Sequence, residues 1–240
     1  MKKKNKLFLI SMSENQGSLL VEVMLSVVLF TIMAMTIAST IRLSSVLYRT
    51  NDAHARLNQN AMKTLHYIGE EIRKTSTAST RLAITDHGTN PDEVSFKIPV
   101  DFDNDGDVTL VDNDSPSQWG AYSYIGQTQV NDATIQNKWV QYSVQPNLLT
   151  KTNQLMRKVC PDTLCAQPTP GIAPVVVSDN IYIDPDPLKN KPGFNVTLNA
   201  DDSITITINL QTNDAVGQAG KSRPLSADFT YTVFLRNAAN

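Results

Sequence analysis

The chain has 240 residues, with 21 Lys+Arg against 23 Asp+Glu and a formal charge of −2. The first 17 residues hold four of the Lys and one Glu, so the rest carries 17 basic against 22 acidic residues, or −5. No basic patch remains to meet a phosphate backbone, which excludes nucleic-acid binding as a function class. The roughly 200 residues beyond Ile41 suffice for one globular core.

Taken in chain order, residues 1–17 form a basic leader, MKKKNKLFLISMSENQG, with Lys2, Lys3, Lys4 and Lys6 against Glu14 alone. Residues 18–41 follow as an apolar run without Pro or Gly, in which Glu22 is the only charge before the run ends at Ile41. As a helix at ~1.5 Å per residue, this run is about 36 Å long, enough to cross a hydrocarbon core of ~30 Å. The lysines ahead of it place the N-terminus in the cytoplasm and the rest of the chain outside. A carboxylate in hydrocarbon costs about 2.5 to 3.5 kcal/mol, so Glu22 calls for a compensating partner.

Three identities are open to this segment. An ordinary secretory signal has its apolar core ahead of the cleavage site, whereas here the candidate processing residue, Gly17, precedes it. A plain signal anchor explains span and orientation but leaves Glu22 without a reason. The third is a type IV prepilin: a basic leader ending in Gly17, an apolar run, and an acid five residues on resemble that family closely. The resemblance implies cleavage after Gly17 by a prepilin peptidase, a new and methylated N-terminus at Ser18, and a role for Glu22 in assembly. There its carboxylate pairs with the N-terminal ammonium of a neighbouring subunit, so that two charges costly in lipid neutralise each other. The chain departs from the usual pattern at Ser18 and Leu19, where Phe and Ser or Thr are common. Ser39 stands near the point where many members carry a helix-kinking Pro.

Over residues 42–75 the pattern turns amphipathic without a break. Leu57, Ala61, Leu65, Ile68 and Ile72 recur at steps of three or four, with Arg56, Lys63, Glu70, Glu71 and Lys74 between them, which predicts a helix to about Lys74. Gly69 weakens its last turns, and TSTAST from Thr75 ends it.

Residues 76–240 read as one β-rich domain. Apolar residues alternate over Val94–Val100, Val140–Val144, Phe194–Leu198, Ile204–Leu210 and Phe229–Leu235, which predicts half-buried antiparallel strands. Asn199 to Ser203 suits a hairpin turn, and the proline-rich pieces Pro161–Pro174 and Pro185–Pro192 read as loops. The expected fold class is α+β, pilin-like, with a long N-terminal helix packed on an antiparallel sheet.

Within this domain DFDNDGDVTLVD has the spacing of a Ca²⁺ loop. Asp101, Asp103, Asp105 and Asp112 stand at positions 1, 3, 5 and 12, Gly106 at the turn, Asp107 at 7 and Thr109 at 9. Six acids from Asp101 to Asp114 repel one another by ~1 kcal/mol per pair at 4 Å in water and ~4 kcal/mol at intermediate dielectric, which a bound cation relieves. The alternative is a solvated acidic turn, since position 12 is Asp rather than Glu and no paired helices flank the loop. Cys160 and Cys165 close the segment CPDTLC; in an oxidising compartment a disulfide is expected, with free thiols or metal ligation as alternatives.

No catalytic constellation is present in the sequence, so the expectation is a protein that is not an enzyme. His54, His66 and His87 are isolated, the sequon at Asn195 reads as a chance match, and Trp119 and Trp139 read as packing residues.

Beyond the N-terminal signature, four stretches are similar to PilW-type minor pilins, which are related to the J-type minor pseudopilins of type II secretion. They are RLNQNAMKTLHYIGEEIRKTS, DEVSFKIPVDFDNDGD, VQYSV followed by LMRKV, and TYTVFLRN. The resemblance implies a subunit that primes or caps a filament. Its partners would be the prepilin peptidase, other minor and major pilins, the inner membrane and a tip adhesin. The alternatives are a minor pseudopilin of type II secretion and, from another class, a stand-alone membrane-anchored Ca²⁺-binding adhesin domain.

Overall fold

The computed structural model describes residues 5–78, 81–88, 90–100, 119–121, 137–149, 152–184, 192–216 and 223–235, with side chains from Leu19 onward except over 213–224. One helix, α1, runs unbroken from Asn5 to Ile72. The chain divides into two compact units, Met1–Asp52 and Ala53–Asn240. In the first, α1 presents its apolar side chains outward from Leu19 through Leu47. In the second, Leu57, Ala61, Leu65, Ile68 and Ile72 are buried, so the three-four spacing marks a packed face.

The helix ends two residues before the expected Lys74. Arg73 still donates its amide to the Gly69 carbonyl at 2.9 Å, but Lys74 and Thr75 switch to the tighter pattern, onto Glu71 and Ile72. Thr75 then turns its hydroxyl onto the Arg81 carbonyl at 3.3 Å, which fixes the exit of the chain.

Among the described residues ten strands follow: β1 Leu82–Thr85, β2 Glu93–Phe96, β3 Ile98–Pro99, β4 Trp119–Gly120, β5 Trp139–Asn147, β6 Thr152–Cys160, β7 Val175–Ile181, β8 Phe194–Leu198, β9 Ser203–Val216 and β10 Arg223–Phe234. Eight of them form one antiparallel sheet in the order β1-β2-β5-β6-β7-β9-β10, with β8 also on β9; β3 and β4 pair separately. An α+β arrangement of N-terminal helix and antiparallel sheet is therefore observed. Where β7 meets β9 only at Ile181 and Leu210, β8 continues along β9 from Phe194 opposite Ile208 to Leu198 opposite Ile204. The expected turn at Asn199–Ser203 is present, closed by Asn199 N–H to the Ser203 carbonyl at 2.8 Å, with Asp202 at φ 58°. Asp92, buried ahead of β2, accepts the Val196 amide at 2.9 Å and so ties β2 to β8.

The alternation predicted as one strand over Val94–Val100 is divided in two. Phe96 pairs with Val140 in the large sheet, Ile98 pairs with Gly120 in the small one, and between them the Lys97 amide turns to the Arg81 carbonyl at 2.8 Å. The core between helix and sheet is built from the α1 face, Val94, Phe96, Val140, Tyr142, Leu155, Val159, Phe194, Val196 and the isoleucines of β9.

Candidate functional site

The helix carries two carboxylates on apolar surroundings, and they are treated very differently. Glu22 lies on an open face among Leu19, Val23, Ser26, Val27 and Phe30. The hydroxyl groups of this apolar half are satisfied within the helix. Ser26 donates to the Glu22 carbonyl at 2.9 Å, Thr31 to Val27 at 2.7 Å, Thr36 to Met33 at 2.8 Å, Ser39 to Met35 at 2.8 Å and Thr40 to Thr36 at 2.9 Å. In hydrocarbon such back-bonding removes the cost of a polar side chain. The Glu22 carboxylate has no comparable contact; among the described residues nothing pairs with it.

Glu71 is the opposite case. The sequence pattern sets it among the polar residues between the apolar ones, and the structure corrects this: Glu71 is buried. Three residues from Ile68 and seven from Thr64, it lies on the inward face of α1, against β5 and β6. Arg157 of β6 meets it in a fork, Nε to Oε2 at 2.9 Å and Nη2 to Oε1 at 2.9 Å, and Tyr142 of β5 donates its hydroxyl to Oε2 at 2.6 Å. Tyr142 and Arg157 stand opposite each other in the β5–β6 register, so one carboxylate clamps the helix to two neighbouring strands. Burial, and then the Glu71 charge, push the Tyr142 hydroxyl well above the usual tyrosine range. Burial alone pulls the Arg157 guanidinium down, but the Glu71 charge and hydrogen bonds more than offset this, and the net displacement is upward. The guanidinium therefore stays charged and the phenol stays protonated as donor.

Gly69 also has a reason that the pattern does not show. A Cβ there would stand 2.6 Å from Cε1 of Tyr231 and 3.2 Å from Cγ2 of Val233, so the glycine lets β10 approach the helix closely.

The processing pair, Gly17 and Ser18, falls within the span of α1, with their side chains outside the described residues. The Ca²⁺-loop residues Asp101, Asp103, Asp105, Asp107, Thr109 and Asp112 also lie outside the described residues. What the structure does give is the flanks: Pro99 pairs with Trp119, so the acidic segment leaves and returns through two adjoining strands. Among the described residues there is no group of three or more His, Cys, Asp or Glu placed to hold a metal.

Cys160 and Cys165 form a disulfide with Cα atoms 5.1 Å apart. Its loop lies on the outer face of the sheet, where the Thr163 carbonyl accepts from Ser95 Oγ at 3.1 Å and Gln141 Nε2 at 3.5 Å. Trp139 packs with the two cysteines, and Lys97 sits 5.0 Å from its ring centroid. Arg81 stacks 4.1 Å from the ring centroid of Trp119. Both tryptophans are buried, while His54, His66 and His87 are exposed. No family model, curated protein or solved structure matches the chain.

One helix, described from Leu19 to Ile72, is long and apolar enough to cross a membrane, consistent with single-pass anchoring.

Proposed function

We propose that this chain is a non-enzymatic minor pilin of a type IV pilus. A prepilin peptidase cuts after Gly17; the remaining apolar half of α1 holds the chain in the inner membrane with the β domain on the periplasmic side. Glu22 then pairs in trans with the N-terminal ammonium of a neighbouring pilin as the helix moves from lipid into a filament core. The observation that carries this is the Glu22 carboxylate itself, the one polar side-chain group of the segment from Leu19 to Ile41 whose needs are not met within the helix among the described residues. A bare acid in hydrocarbon is destabilising by about 2.5 to 3.5 kcal/mol, and a partner supplied by another subunit relieves that only on assembly. The long α1 docked on an antiparallel sheet supports the same function, since it leaves the first half of the helix free to pack against other helices.

In this proposal the acidic loop Asp101–Asp112 takes Ca²⁺ as a stabilising clip rather than a switch, with an affinity of about 10⁻⁴ to 10⁻³ M. The pairing of β3 with β4 supports it by joining the chain just ahead of Asp101 to the chain at Trp119, seven residues past Asp112.

Mass spectrometry of the mature N-terminus in a piliated host tests the main proposal. The expected species begins at Ser18, and an intact Met1 overturns it. For the loop, calorimetry on the solubilised chain is expected to give heat at millimolar Ca²⁺ that Asp103→Ala abolishes. No heat from either protein retires the metal.

A further inference from the structure

We propose that Arg81 and Lys97, side by side on the outer face of the sheet, form a binding site for a single oxyanion, a phosphate or a carboxylate group. The site lies within the β domain and is independent of assembly through Glu22.

The strand register builds it. Leu82 pairs with Phe96 and Phe96 with Val140, so one step further Arg81, Lys97 and Trp139 stand in a row across β1, β2 and β5, and Cys160 ends the row on β6. The Lys97 amide, bonded to the Arg81 carbonyl at 2.8 Å, fixes the first two as direct neighbours. Val94 and Phe96 are buried in the core under the helix, so the alternate residue Lys97 belongs to the opposite face, with Trp139 and the disulfide. Like charges directly opposite on neighbouring strands are destabilising, which sets this pair apart from an ordinary polar surface.

Each cation rests on an aromatic face. The Arg81 guanidinium carbon lies 4.1 Å from the Trp119 ring centroid, and Lys97 Nζ lies 5.0 Å from that of Trp139. A ring face attracts a cation without neutralising it, and it accepts none of the N–H bonds that a carboxylate would. Among the described residues the Lys97 ammonium has no hydrogen-bond acceptor and no acid in ion-pair contact. A guanidinium carries five donors in a fork, more than one contact engages, and two of them suit an oxyanion. The nearest acids of this face are engaged elsewhere. Glu93, four residues before Lys97, accepts from Gln141 Nε2 at 3.4 Å and acts on Lys158, while Asp162 Oδ1 accepts the Cys165 amide at 2.8 Å. Burial, and then the Arg81 charge, pull the Lys97 ammonium below the usual lysine range. An oxyanion between the two cations reverses the second cause. Phosphate and carboxylate share the geometry that the fork recognises, and two cations match one such group rather than a phosphate backbone.

The chain has two tryptophans and both border the site, so their emission reports on it without a label. The test titrates the full chain in nonionic detergent with inorganic phosphate and, in parallel, with acetate, against chloride at equal ionic strength. A saturable change in emission is expected with at least one oxyanion and not with chloride, and the tighter of the two names the ligand class. Lys97→Met is expected to raise the midpoint about tenfold or more, as for one lost hydrogen bond between charged groups. Lys97→Arg, which keeps charge and donors, is expected to stay within a few-fold of the parent. Lys63→Met removes the same charge from the exposed side of α1 and is expected to leave the midpoint unchanged. Should circular dichroism show that Lys97→Met does not fold, Arg81→Gln serves the same comparison. No saturable change in the parent overturns the proposal, as does an equal response to chloride. Equal midpoints in the parent and a folded Lys97→Met overturn it too. So does a saturable change that appears only when Asp101→Asn, Asp103→Asn and Asp105→Asn are combined, because the chain's own loop then supplies the carboxylate.

Discussion

Two carboxylates on one helix, Glu22 and Glu71, face the same electrostatic problem and receive opposite solutions. Glu71 sits in a protein core and is given Arg157 in a fork and the Tyr142 hydroxyl, all within the chain. Glu22 sits on an outward-facing apolar stretch and has nothing among the described residues, although every hydroxyl bonded around it is served by its own helix. A buried charge left alone is costly in either setting, so the difference lies in where the partner is kept. Glu71 is matched when the domain folds. Glu22 is not matched among the described residues, and in the proposed pilin its partner would come only on assembly.

The comparison is broken most severely by removing half of the clamp. Glu71→Ala leaves the Arg157 guanidinium buried and unpaired and is expected to cost about 3 to 5 kcal/mol in urea or guanidinium denaturation. Replacing both ends with apolar residues of similar size, Glu71→Leu with Arg157→Met, is expected to restore most of that loss, since such swaps are often neutral or stabilising by about 1 to 4 kcal/mol. If the double variant is as unstable as Glu71→Ala, the pair contributes through its charge rather than through avoided desolvation, and the contrast with Glu22 has to be redrawn.

Tyr142 gives a smaller effect with a pH signature. Its hydroxyl titrates higher in the fold than in the unfolded chain, because burial and the Glu71 charge disfavour the phenolate. A raised pKa contributes stability that is whole below the unfolded value and is lost as the pH climbs through the folded one. The parent is therefore expected to lose stability above about pH 10, the ordinary tyrosine range, more steeply than Tyr142→Phe. At neutral pH the same substitution is expected to cost about 1.5 to 3 kcal/mol for the lost bond to a charged acceptor. Matching alkaline slopes in the two proteins would show that Tyr142 is not the proton donor in the clamp.

Much of this architecture was legible in residue periodicity. The face from Leu57 to Ile72 and strands β5, β8, β9 and β10 follow from steps of three or four and of two, because each packs one side against the core. Strands β1, β6 and β7 were not. In β6 the inward residues are Leu155, Arg157 and Val159, and a charge at the centre of an apolar alternation breaks the pattern unless its partner is known. That partner lies 86 residues earlier, a distance over which periodicity carries no information. Glu71 itself left a trace, being three residues from Ile68 on the inward side. Glu22 stands out in the sequence for the opposite reason, since a charge within an apolar run needs no tertiary context to be anomalous.

Gly69 sharpens the helix–sheet side of the comparison with a still smaller effect. Adding a methyl group improves helix propensity by about 1 kcal/mol but drives Cβ into the Tyr231 ring and Val233, at an overpacking cost of about 1 to 3 kcal/mol. Gly69→Ala is expected to lose about 1 kcal/mol net in thermal or urea unfolding, and to change sign to a gain in a Tyr231→Ser background. A gain in both backgrounds would mean that the ring moves aside freely and that β10 does not depend on the glycine.

The smallest effect on folding is expected at Glu22. Glu22→Ala removes no contact in the described structure, so unfolding of the β domain should shift by less than about 0.5 kcal/mol, and membrane insertion of α1 should improve rather than suffer. If the partner is an N-terminal ammonium brought by another subunit, the same substitution prevents incorporation into filaments while the protein accumulates, processed and folded, in the membrane fraction. Glu22→Gln separates charge from hydrogen bonding: a neutral amide still accepts a bond from an ammonium but cannot neutralise it, so incorporation should stay impaired although shape is conserved. Immunoblotting sheared filaments against membranes reads both variants. Wild-type incorporation of Glu22→Ala would leave the acid without an assembly role and favour a membrane-anchored domain that acts alone. Because Glu71 variants lose the domain and Glu22 variants keep it, a filament defect can be assigned to assembly only when the folded membrane pool is intact.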